Sequence, residues 1–183
     1  DPKTPFKETV RALQKCRKQG KIKYIGCSNF SDKNLLQALV YADIQSIQLP
    51  YNILRREIES EMIPLSIENK LSVLVYDTLA RGLLSGKYGL NTAFGSNDSR
   101  SRDSNFIGQK FKDNLLIVEK LRTIGEKYGK SPAQVAIRWV LDNPLITCAI
   151  IGMKTDQQVK DNLLSINWNI PKEDLHILAE REV

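Results

Sequence analysis

The sequence predicts an α/β fold in which four parallel strands alternate with crossover helices and further helices are added. Two observations predict this fold. Short apolar runs rich in β-forming residues recur along the 183 residues. Segments with the three- to four-residue apolar spacing of amphipathic helices separate these runs. Strands that alternate with helices pair in parallel, because each helix returns the chain to the same end of the sheet.

The first part of the chain predicts three helices and three strands. Phe6, Val10 and Leu13 recur at helical spacing, and Thr4 followed by Pro5 suits the N-cap and first turn of that helix. The third strand is an almost continuous apolar run, which is typical of a strand buried on both faces. In order, the predicted elements are helix Pro5–Gln19, strand Ile22–Cys27, a helix capped by Ser31, strand Ile44–Leu49, helix Glu57–Asn69 and strand Leu71–Tyr76.

The second part predicts a polar loop, four helices and one strand. Residues Gly95–Asn105 read GSNDSRSRDSN, have no core-forming content, and are expected to form a mobile loop. Ser131 and Gln134 have the spacing of a capping box at the start of a helix. The elements here are a helix through Ile117, Leu121, Ile124 and Tyr128, a helix from Ser131 through Val140, strand Thr147–Ile151, helix Thr155–Leu164 and helix Pro171–Glu182.

Composition and charge exclude several classes of function. The net charge is +6, but the cations look scattered over helix faces, no five basic residues run together, and aromatic residues do not alternate with them. We therefore expect no nucleic-acid partner. No run of 18 apolar residues and no basic-then-apolar leader occur, so we expect a cytoplasmic protein with no membrane partner. 

The three cysteines predict neither a metal site nor disulfides. Cys16, Cys27 and Cys148 have no C-x-x-C spacing, and the only histidine, His176, is distant in sequence from the first two. They are interpreted as reduced thiols. Cys27 and Cys148 lie in apolar strand-like runs, which suits small buried side chains.

Four strands are too few for a closed barrel. An eight-stranded barrel of alternating strands and helices takes about 250 residues, and half of one left open exposes two sheet edges. The alternative is a small open doubly wound sheet, but the G-x-G-x-x-G turn is absent after the first strand. We therefore interpret residues 1–183 as one domain, and the choice between half of a (β/α)8 barrel and an open sheet depends on the strand ends.

The residues at the strand ends carry a resemblance to a known family. Functional residues of a barrel lie at the carboxyl ends of its strands. Here these ends, together with the segment after the third strand, read GCSNF at 26–30, QLPYN at 48–52, YDTLARG at 76–82, GLLSGKY at 82–88 and IGMK at 151–154. This series resembles the aldo-keto reductase family over essentially the whole chain, and is closest in form to bacterial reductases and potassium-channel β subunits. The resemblance implies the second half of the barrel.

The resemblance implies a nicotinamide site at the first three strand ends. Ser28, Asn29 and Gln48 would hydrogen-bond the carboxamide, which both donates and accepts, as hydroxyl and amide side chains do. The alternative is that they are polar strand-end residues that meet solvent. Tyr76 would stack on the nicotinamide ring, or is an ordinary core tyrosine. Tyr51 is a neighbour of this site or only a pocket wall.

The resemblance also implies a pyrophosphate site after the third strand. Backbone N–H groups would surround the pyrophosphate, where glycine permits close approach. The residues concerned are Leu79, Ala80, Gly82 and Leu83. Arg81, Arg100 or Arg102 would add charge to this site if the polar loop folds over the cofactor. For Arg100 and Arg102, a solvated loop position is the favoured alternative.

An adenosine site is implied at the end of the chain. Its residues would be Gly152, Lys154, Gln158, Asp161 and Asn162. Asn162 would suit the adenine amino edge, and Lys154 at a helix N-terminus would hold a 2′-phosphate, which favours NADP. Thr155 and Gln158 alternatively form a plain capping box. Two departures from the family are Ile151, where proline is frequent, and Asp161, where glutamate is frequent.

The resemblance implies reduction of aldehydes or ketones, a reaction for which this chain has no catalytic residues. The family's aspartate, tyrosine, lysine and histidine come from the first half of the barrel, and Asp1-Pro2 resembles the segment that follows the histidine. His176, in the final helix, is expected at the surface. We expect the isolated chain to be inactive and to pair with the missing half or with another copy. The alternative is a non-catalytic nucleotide-binding or regulatory module.

Overall fold

In a computed structural model of the chain, the described residues are 3–179. One parallel sheet of four strands forms the centre, and the strands lie in chain order. The strands are β1 (Gly26–Ser28), β2 (Ser46–Pro50), β3 (Ser72–Tyr76) and β4 (Cys148–Ala149). Parallel neighbours in chain order require a crossover helix between each pair, as the sequence predicts.

Seven α-helices accompany these strands within residues 3–179. They are α1 (Phe6–Lys18), α2 (Asp32–Tyr41), α3 (Met62–Glu68), α4 (Gly108–Tyr128), α5 (Pro132–Leu141), α6 (Asp156–Leu163) and α7 (Lys172–Ala179). Ser31 caps α2, and the predicted capping box of Ser131 and Gln134 begins α5. The predicted Thr4 cap is wrong, because Pro5 occupies the cap position of α1 without a side-chain hydrogen bond.

The strands are shorter than the sequence predicts. β1 begins at Gly26, because the preceding N–H, that of Ile25, bonds the side chain of Gln45 instead of a neighbouring strand. β4 has two residues, although backbone bonds from Thr147 and Ile150 to β3 extend its pairing. The predicted helix Glu57–Asn69 is also divided, into a 3₁₀ turn and α3.

The two faces of the sheet differ in burial. Ile47 and Val75 belong to the face that packs under the helices, and both are fully buried. On the opposite face, Ser28, Gln48, Leu74 and Cys148 share one row of the strand register. Each of these four side chains is exposed or only partly buried. Cys148 is exposed, so its predicted burial is wrong: it lies on the edge strand and on the uncovered face.

A segment that we call the strap, residues 88–106, lies in the connection between β3 and α4. Its middle was predicted to be an irregular loop, but it contains two 3₁₀ turns, capped by the side chains of Asp98 and Asp103. Tyr88, Phe94 and Phe106 pack edge to face beneath these turns. The aromatic residues lie outside the polar run that the prediction considered, which is why it missed this small core.

Two interpretations reach residues that the structure does not describe. Asp1-Pro2, compared above with the segment after a catalytic histidine, and the predicted end of the last helix at Glu182 lie outside residues 3–179. His176 is exposed on α7, as predicted. Among the described residues, no helix has the length and apolar character needed to cross a bilayer.

Candidate functional site

Four predicted residues come together at the carboxyl ends of β1, β2 and β3. Ser28 lies opposite Gln48 in the register, and its hydroxyl donates to the Gln48 carbonyl oxygen at 3.2 Å. The Tyr76 hydroxyl donates to Oδ1 of Asn29 at 2.9 Å. We call Ser28, Asn29, Gln48 and Tyr76 the strand-end cluster.

The strand-end cluster is held by the backbone. Asn29 adopts a left-handed conformation with φ of 56°, which asparagine tolerates better than most residues. Its N–H donates to the Gln48 carbonyl at 3.0 Å, which extends the β1–β2 ladder by one residue. The cluster presents a hydroxyl, two amides and an aromatic ring at one edge of the sheet, all of them at least partly exposed.

A groove of about 680 Å³ begins beside this cluster, between the ends of β3 and β4. Its floor and walls come from the turn after β3, the segment after β4, and the first turns of α5 and α6. Seven of the twelve predicted cofactor residues line it: Leu79, Gly82, Gly152, Lys154, Gln158, Asp161 and Asn162. The groove therefore unites residues separated by about half the chain.

The turn after β3 has unusual backbone geometry. Ala80, Arg81 and Gly82 are consecutive left-handed residues, with φ of 46°, 53° and 91°. The N–H groups of Ala80 and Gly82 already donate within the turn, to Asp77 and Leu79. Ala80 is also buried and does not line the groove. The predicted pyrophosphate contacts at these two N–H groups therefore compete with bonds that shape the turn.

Four basic side chains line the groove. Arg81, on the turn after β3, pairs with Asp103 of the strap at 3.4 Å. Arg100, on the strap, pairs with Asp98 and lies over the rings of Tyr88 and Phe94. Lys87 and Lys154 line the groove without a carboxylate partner among residues 3–179. The interpretation of Arg100 as a solvated loop residue is wrong, because the aromatic core of the strap fixes it at the groove.

Lys154 and Gln158 organise the start of α6. The Thr155 hydroxyl accepts the Gln158 N–H at 3.2 Å, as an N-cap does. Oε1 of Gln158 reaches back one residue further than in a capping box, to the N–H of Lys154 at 2.7 Å. The main chain of Lys154 is thus fixed. Its ammonium forms no ion pair with the described residues, although its charge helps to lower the pKa of Asp98. Gln134 of α5 donates to the Asp161 carbonyl at 2.9 Å and joins the two helices.

The surroundings shift the pKa values of two carboxyl groups near the groove in opposite directions. Partial burial raises the pKa of Asp77, although its carboxylate accepts the Arg81 N–H at 3.0 Å. Hydrogen bonds from the Arg100 side chain lower the pKa of Asp98. Ionised Asp98 therefore neutralises part of the positive charge at the strap, whereas Asp77 carries an energetic cost when it is charged.

Some groove residues were not predicted from the sequence. Lys87, Asp77, Ser85 and Ser131 line the groove. Lys87 lay inside the quoted GLLSGKY segment, and its signal was a lysine just after a glycine-rich turn. Ser131 could be found only from tertiary structure, because it is about 50 residues from the β3 turn and its sequence indicates a helix cap.

Other candidates lie away from the site. Tyr51 is 1% exposed and stacks on Trp139 with ring centroids 5.3 Å apart. Its hydroxyl donates to Glu59 at 2.6 Å, and burial raises its pKa. Its backbone neighbours the strand-end cluster, because its N–H donates to the Tyr76 carbonyl at 3.0 Å, but its ring points to Trp139 and does not line the groove. Arg102 is exposed and does not line the groove, as expected of a solvated loop residue.

Comparison with known proteins decides the family. A family model described as the aldo/keto reductase family matches residues 1–182. The chain belongs to this family. It is 35% identical to the aldo-keto reductase YhdN of Bacillus subtilis, a match that covers 95% of the chain and 53% of that relative. It is 27% identical to the NADH-specific methylglyoxal reductase of Escherichia coli, covering 97% of the chain and 54% of that protein.

Solved structures of this aldo/keto reductase chain's relatives agree on the fold. The glycerol dehydrogenase AKR11B4 from Gluconobacter oxydans superposes with a TM-score of 0.88 at 35% identity, over 98% of this chain and 54% of that one. The predicted α/β fold, half of a (β/α)8 barrel, is thereby confirmed. The chain spans about half the length of the curated relatives that it matches.

Proposed function

We propose that this chain supplies the cofactor-binding half of an NADP(H)-dependent reductase of small aldehydes or ketones. The observation that carries the proposal is the groove with its four cations, which lies between the turn after β3 and the start of α6. Asn29 and Tyr76 of the strand-end cluster line a separate cavity, and Tyr76 is followed directly by Asp77 of the groove. A groove of this kind suits a long ligand with a polar ring at one end and phosphates along its length.

The residues present fit such a cofactor. At one end, the strand-end cluster offers a donor and acceptor set and the Tyr76 ring for a nicotinamide. In the middle, Arg81, Lys87 and Arg100 offer positive charge for a pyrophosphate. At the far end, Gln158, Asp161 and Asn162 would hold the adenosine.

The preference for NADP over NAD rests on Lys154. Its ammonium has no carboxylate partner among the described residues, and it precedes the N-terminus of α6, where a phosphate dianion is favoured. Among relatives, the Escherichia coli protein is named as NADH-specific, so membership in the family does not decide between the two cofactors. We therefore propose that the charge of Lys154 decides between NADP and NAD.

The chemistry of the bound cofactor is hydride transfer to a carbonyl carbon. In this chain, the strand-end cluster would orient the nicotinamide so that one face of its ring is covered by Tyr76. The proton for the carbonyl oxygen would come from the first half of the barrel. We therefore propose a partner half that pairs with the free edges of β1 and β4, and an isolated chain without reductase activity.

Calorimetric titration of the chain with NADPH and with NADH tests cofactor choice. NADPH is expected to bind at least tenfold more tightly, and Lys154→Ala is expected to remove most of that difference. Lys160→Ala is the matched control, because Lys160 is an exposed lysine of the adjacent helix α6 and does not line the groove. Equal losses for both cofactors in Lys154→Ala would rule out the 2′-phosphate role.

Reconstitution tests the proposed reaction. The chain would be mixed with, or fused to, the corresponding first half of Bacillus subtilis YhdN, and NADPH oxidation followed with a panel of aldehydes and ketones. Turnover is expected only when both halves are present. Cofactor binding with no turnover in any folded hybrid would favour a non-catalytic nucleotide-binding or regulatory module.

A further inference from the structure

Helix α1 carries a line of cations that the cofactor site does not use. Lys7, Arg11, Lys15 and Lys18 follow one another at spacings of four, four and three residues, so they share one face of the helix. All four are exposed. We call these four residues the α1 stripe. Glu8 is the only acidic residue of the helix.

The α1 stripe faces away from the protein. Leu13 and Phe6, on the opposite side of the helix, are partly buried, and Val10, which neighbours Lys7 on the helix surface, is 5% exposed. One flank is fastened to α2: Gln14 donates to the Tyr41 carbonyl at 3.0 Å, and Arg17 pairs with Asp43 at 3.3 Å. The fifth cation of the helix, Arg17, is thus neutralised, whereas no residue among 3–179 forms an ion pair with any member of the stripe.

The spacing of the four cations costs helix stability, although the helix dipole favours Lys15 and Lys18 in the last turn. Like charges three or four residues apart repel each other, and the stripe contains three such pairs in succession. Lys7 also lies in the first turn, where the helix dipole disfavours a cation. The sequence led us to expect cations scattered over helix faces and, for that reason, no nucleic-acid partner. On α1 the four cations share one face, so that expectation loses its basis for this helix.

The spacing of the stripe suits a single polyanionic chain. At a rise of 1.5 Å per residue, the four charges occupy one line about 16 Å long. A single phosphodiester backbone also presents one negative charge per repeat in a line. A duplex would offer two backbones, and only one row of cations is present on this helix.

An exposed aromatic residue, Tyr24, follows the stripe in the sequence. The helix ends in a turn in which the Lys21 N–H donates to the Cys16 carbonyl at 3.0 Å, so the chain folds back against the helix end. Lys21, Lys23 and Tyr24 follow and are exposed, and Tyr24 is 75% exposed. Tyr24 thus offers an exposed ring that follows the line of cations in the chain. Rings and cations together bind single strands, because bases stack on the ring while cations hold the backbone.

We propose that the α1 stripe and Tyr24 bind single-stranded nucleic acid through its phosphodiester backbone. A membrane surface is the weaker occupant, because Phe6, Val10 and Leu13, the apolar side chains of α1, pack inward or are partly covered and leave no apolar face to enter lipid. The site is separate from the cofactor groove, whose lining includes no residue of α1.

Fluorescence anisotropy of labelled 20-nucleotide single-stranded RNA, single-stranded DNA and duplex DNA tests the proposal over a range of salt concentrations. The stripe variant carries glutamine at all four positions of the α1 stripe. A control variant makes the same change in net charge at Lys33, Lys70, Lys112 and Lys172, which are exposed elsewhere. Circular dichroism checks that both variants are folded.

The stripe variant is expected to bind single strands at least tenfold more weakly, and the control variant no more than about twofold. Four backbone contacts predict a fall of about 3 in the slope of log Kd against log salt. Arginine at the three lysine positions should restore binding, and Tyr24→Ala should weaken it severalfold. Saturating NADPH should not displace the strand.

Three results would overturn the proposal. The first is an equal loss in the stripe and control variants, since net charge alone would then explain binding. The second is displacement by NADPH, which would assign the strand to the groove. The third is binding of the chain to phosphatidylserine vesicles, lost in the stripe variant, without measurable binding to RNA or DNA, which would make the stripe a membrane-surface site.

Discussion

The Tyr76 hydroxyl donates to the side-chain oxygen of Asn29 across 2.9 Å, joining residues that are 47 positions apart in the chain. The bond links the end of β3 to the end of β1 over the end of the intervening strand. It therefore sets the position of two groups at once: the ring proposed to cover the nicotinamide and the amide proposed to bind its carboxamide. Asn29 in turn holds a left-handed backbone conformation.

Removing this hydroxyl should separate the two roles of Tyr76. Tyr76→Phe keeps the ring and loses the bond to Asn29. Because both side chains reach solvent, we expect the free energy of unfolding to fall by less than about 1 kcal/mol. NADPH affinity should fall about threefold in Tyr76→Phe and about tenfold or more in Tyr76→Ala, measured by calorimetric titration. Equal affinities for Tyr76→Phe and Tyr76→Ala would contradict a role for the ring.

The order of the strands was predictable from the sequence, because alternating strands and helices leave few ways to pair them. The strand-end cluster was predictable for the same reason, since parallel strands place their carboxyl ends at one edge. The left-handed backbone of Ala80 and Arg81 was not predictable, because neither residue type favours it. The strap was misread because its order depends on three aromatic residues outside the polar run.

Gly125 offers a test of packing inside α4. Alanine normally stabilises a helix interior relative to glycine by about 1 kcal/mol. Here a Cβ would overlap the carbonyl oxygen of Lys130, which belongs to the turn into α5. Because that oxygen is backbone and cannot swing aside, we expect Gly125→Ala to lower the free energy of unfolding by about 2 kcal/mol. Urea denaturation measures the change.

Gly89→Ala is the control for that substitution. A Cβ at Gly89 would have no atom within 4 Å, so the control should be neutral or slightly stabilising. A stabilising effect of Gly125→Ala, as helix propensity alone predicts, would contradict the close approach of α4 to the following turn.

Asp174 should make the free energy of unfolding depend on pH in the acidic range. Its carboxylate accepts the Tyr128 hydroxyl at 2.6 Å and the Lys127 ammonium at 3.1 Å, and these bonds lower its pKa. A lowered folded-state pKa contributes stability that is complete above the ordinary carboxyl pKa and is lost as pH falls through the folded value. We expect Asp174→Asn to lower the urea midpoint at pH 7, and the difference from the parent chain to shrink below about pH 4.

The hydrogen bond between Tyr128 and Asp174 also predicts that the free energy of unfolding changes at alkaline pH. Asp174 raises the pKa of Tyr128, so the protonated phenol is favoured in the folded state. Its contribution is complete below the ordinary tyrosine pKa and is lost as pH rises through the folded value. Tyr128→Phe should therefore lower the urea midpoint near pH 7 and change it little well above pH 10. A pH-independent difference for both variants would mean that the hydrogen bond contributes through packing alone.

The outline of the basic groove was predictable from the sequence, but the pairing of its charges was not. Resemblance indicated the strand ends and the start of α6, and the structure brings these into one groove. The counter-charges were not predictable, because Asp98 and Asp103 face Arg100 and Arg81 only after the strap folds. Free positive charge is consequently concentrated at Lys87 and Lys154, although the sequence has many other cations nearby in the chain.

Thiol labelling tests whether the open face of the sheet is covered by a partner half. Cys148 is exposed on that face, whereas Cys27 is about half buried and burial raises its pKa to about 11. Because the thiolate is the reactive form, this pKa leaves Cys27 about 100-fold less ionised than an ordinary thiol near pH 8, and the greater nucleophilicity of a more basic thiolate offsets only part of that loss. We expect a variant with Cys148 alone to react with Ellman's reagent at least tenfold faster than one with Cys27 alone. In 8 M urea, the two rates should converge.

Adding the first half of YhdN should then slow the reaction of Cys148 with Ellman's reagent and change the rate of Cys27 by no more than about twofold. The reason is geometric: Cys148 shares its row of the register with Leu74, Gln48 and Ser28, so a partner that completes the barrel covers them together. Bovine serum albumin at the same concentration controls for crowding. If Cys148 stays equally reactive in a hybrid that elutes as a complex, the partner half binds elsewhere and does not close the barrel.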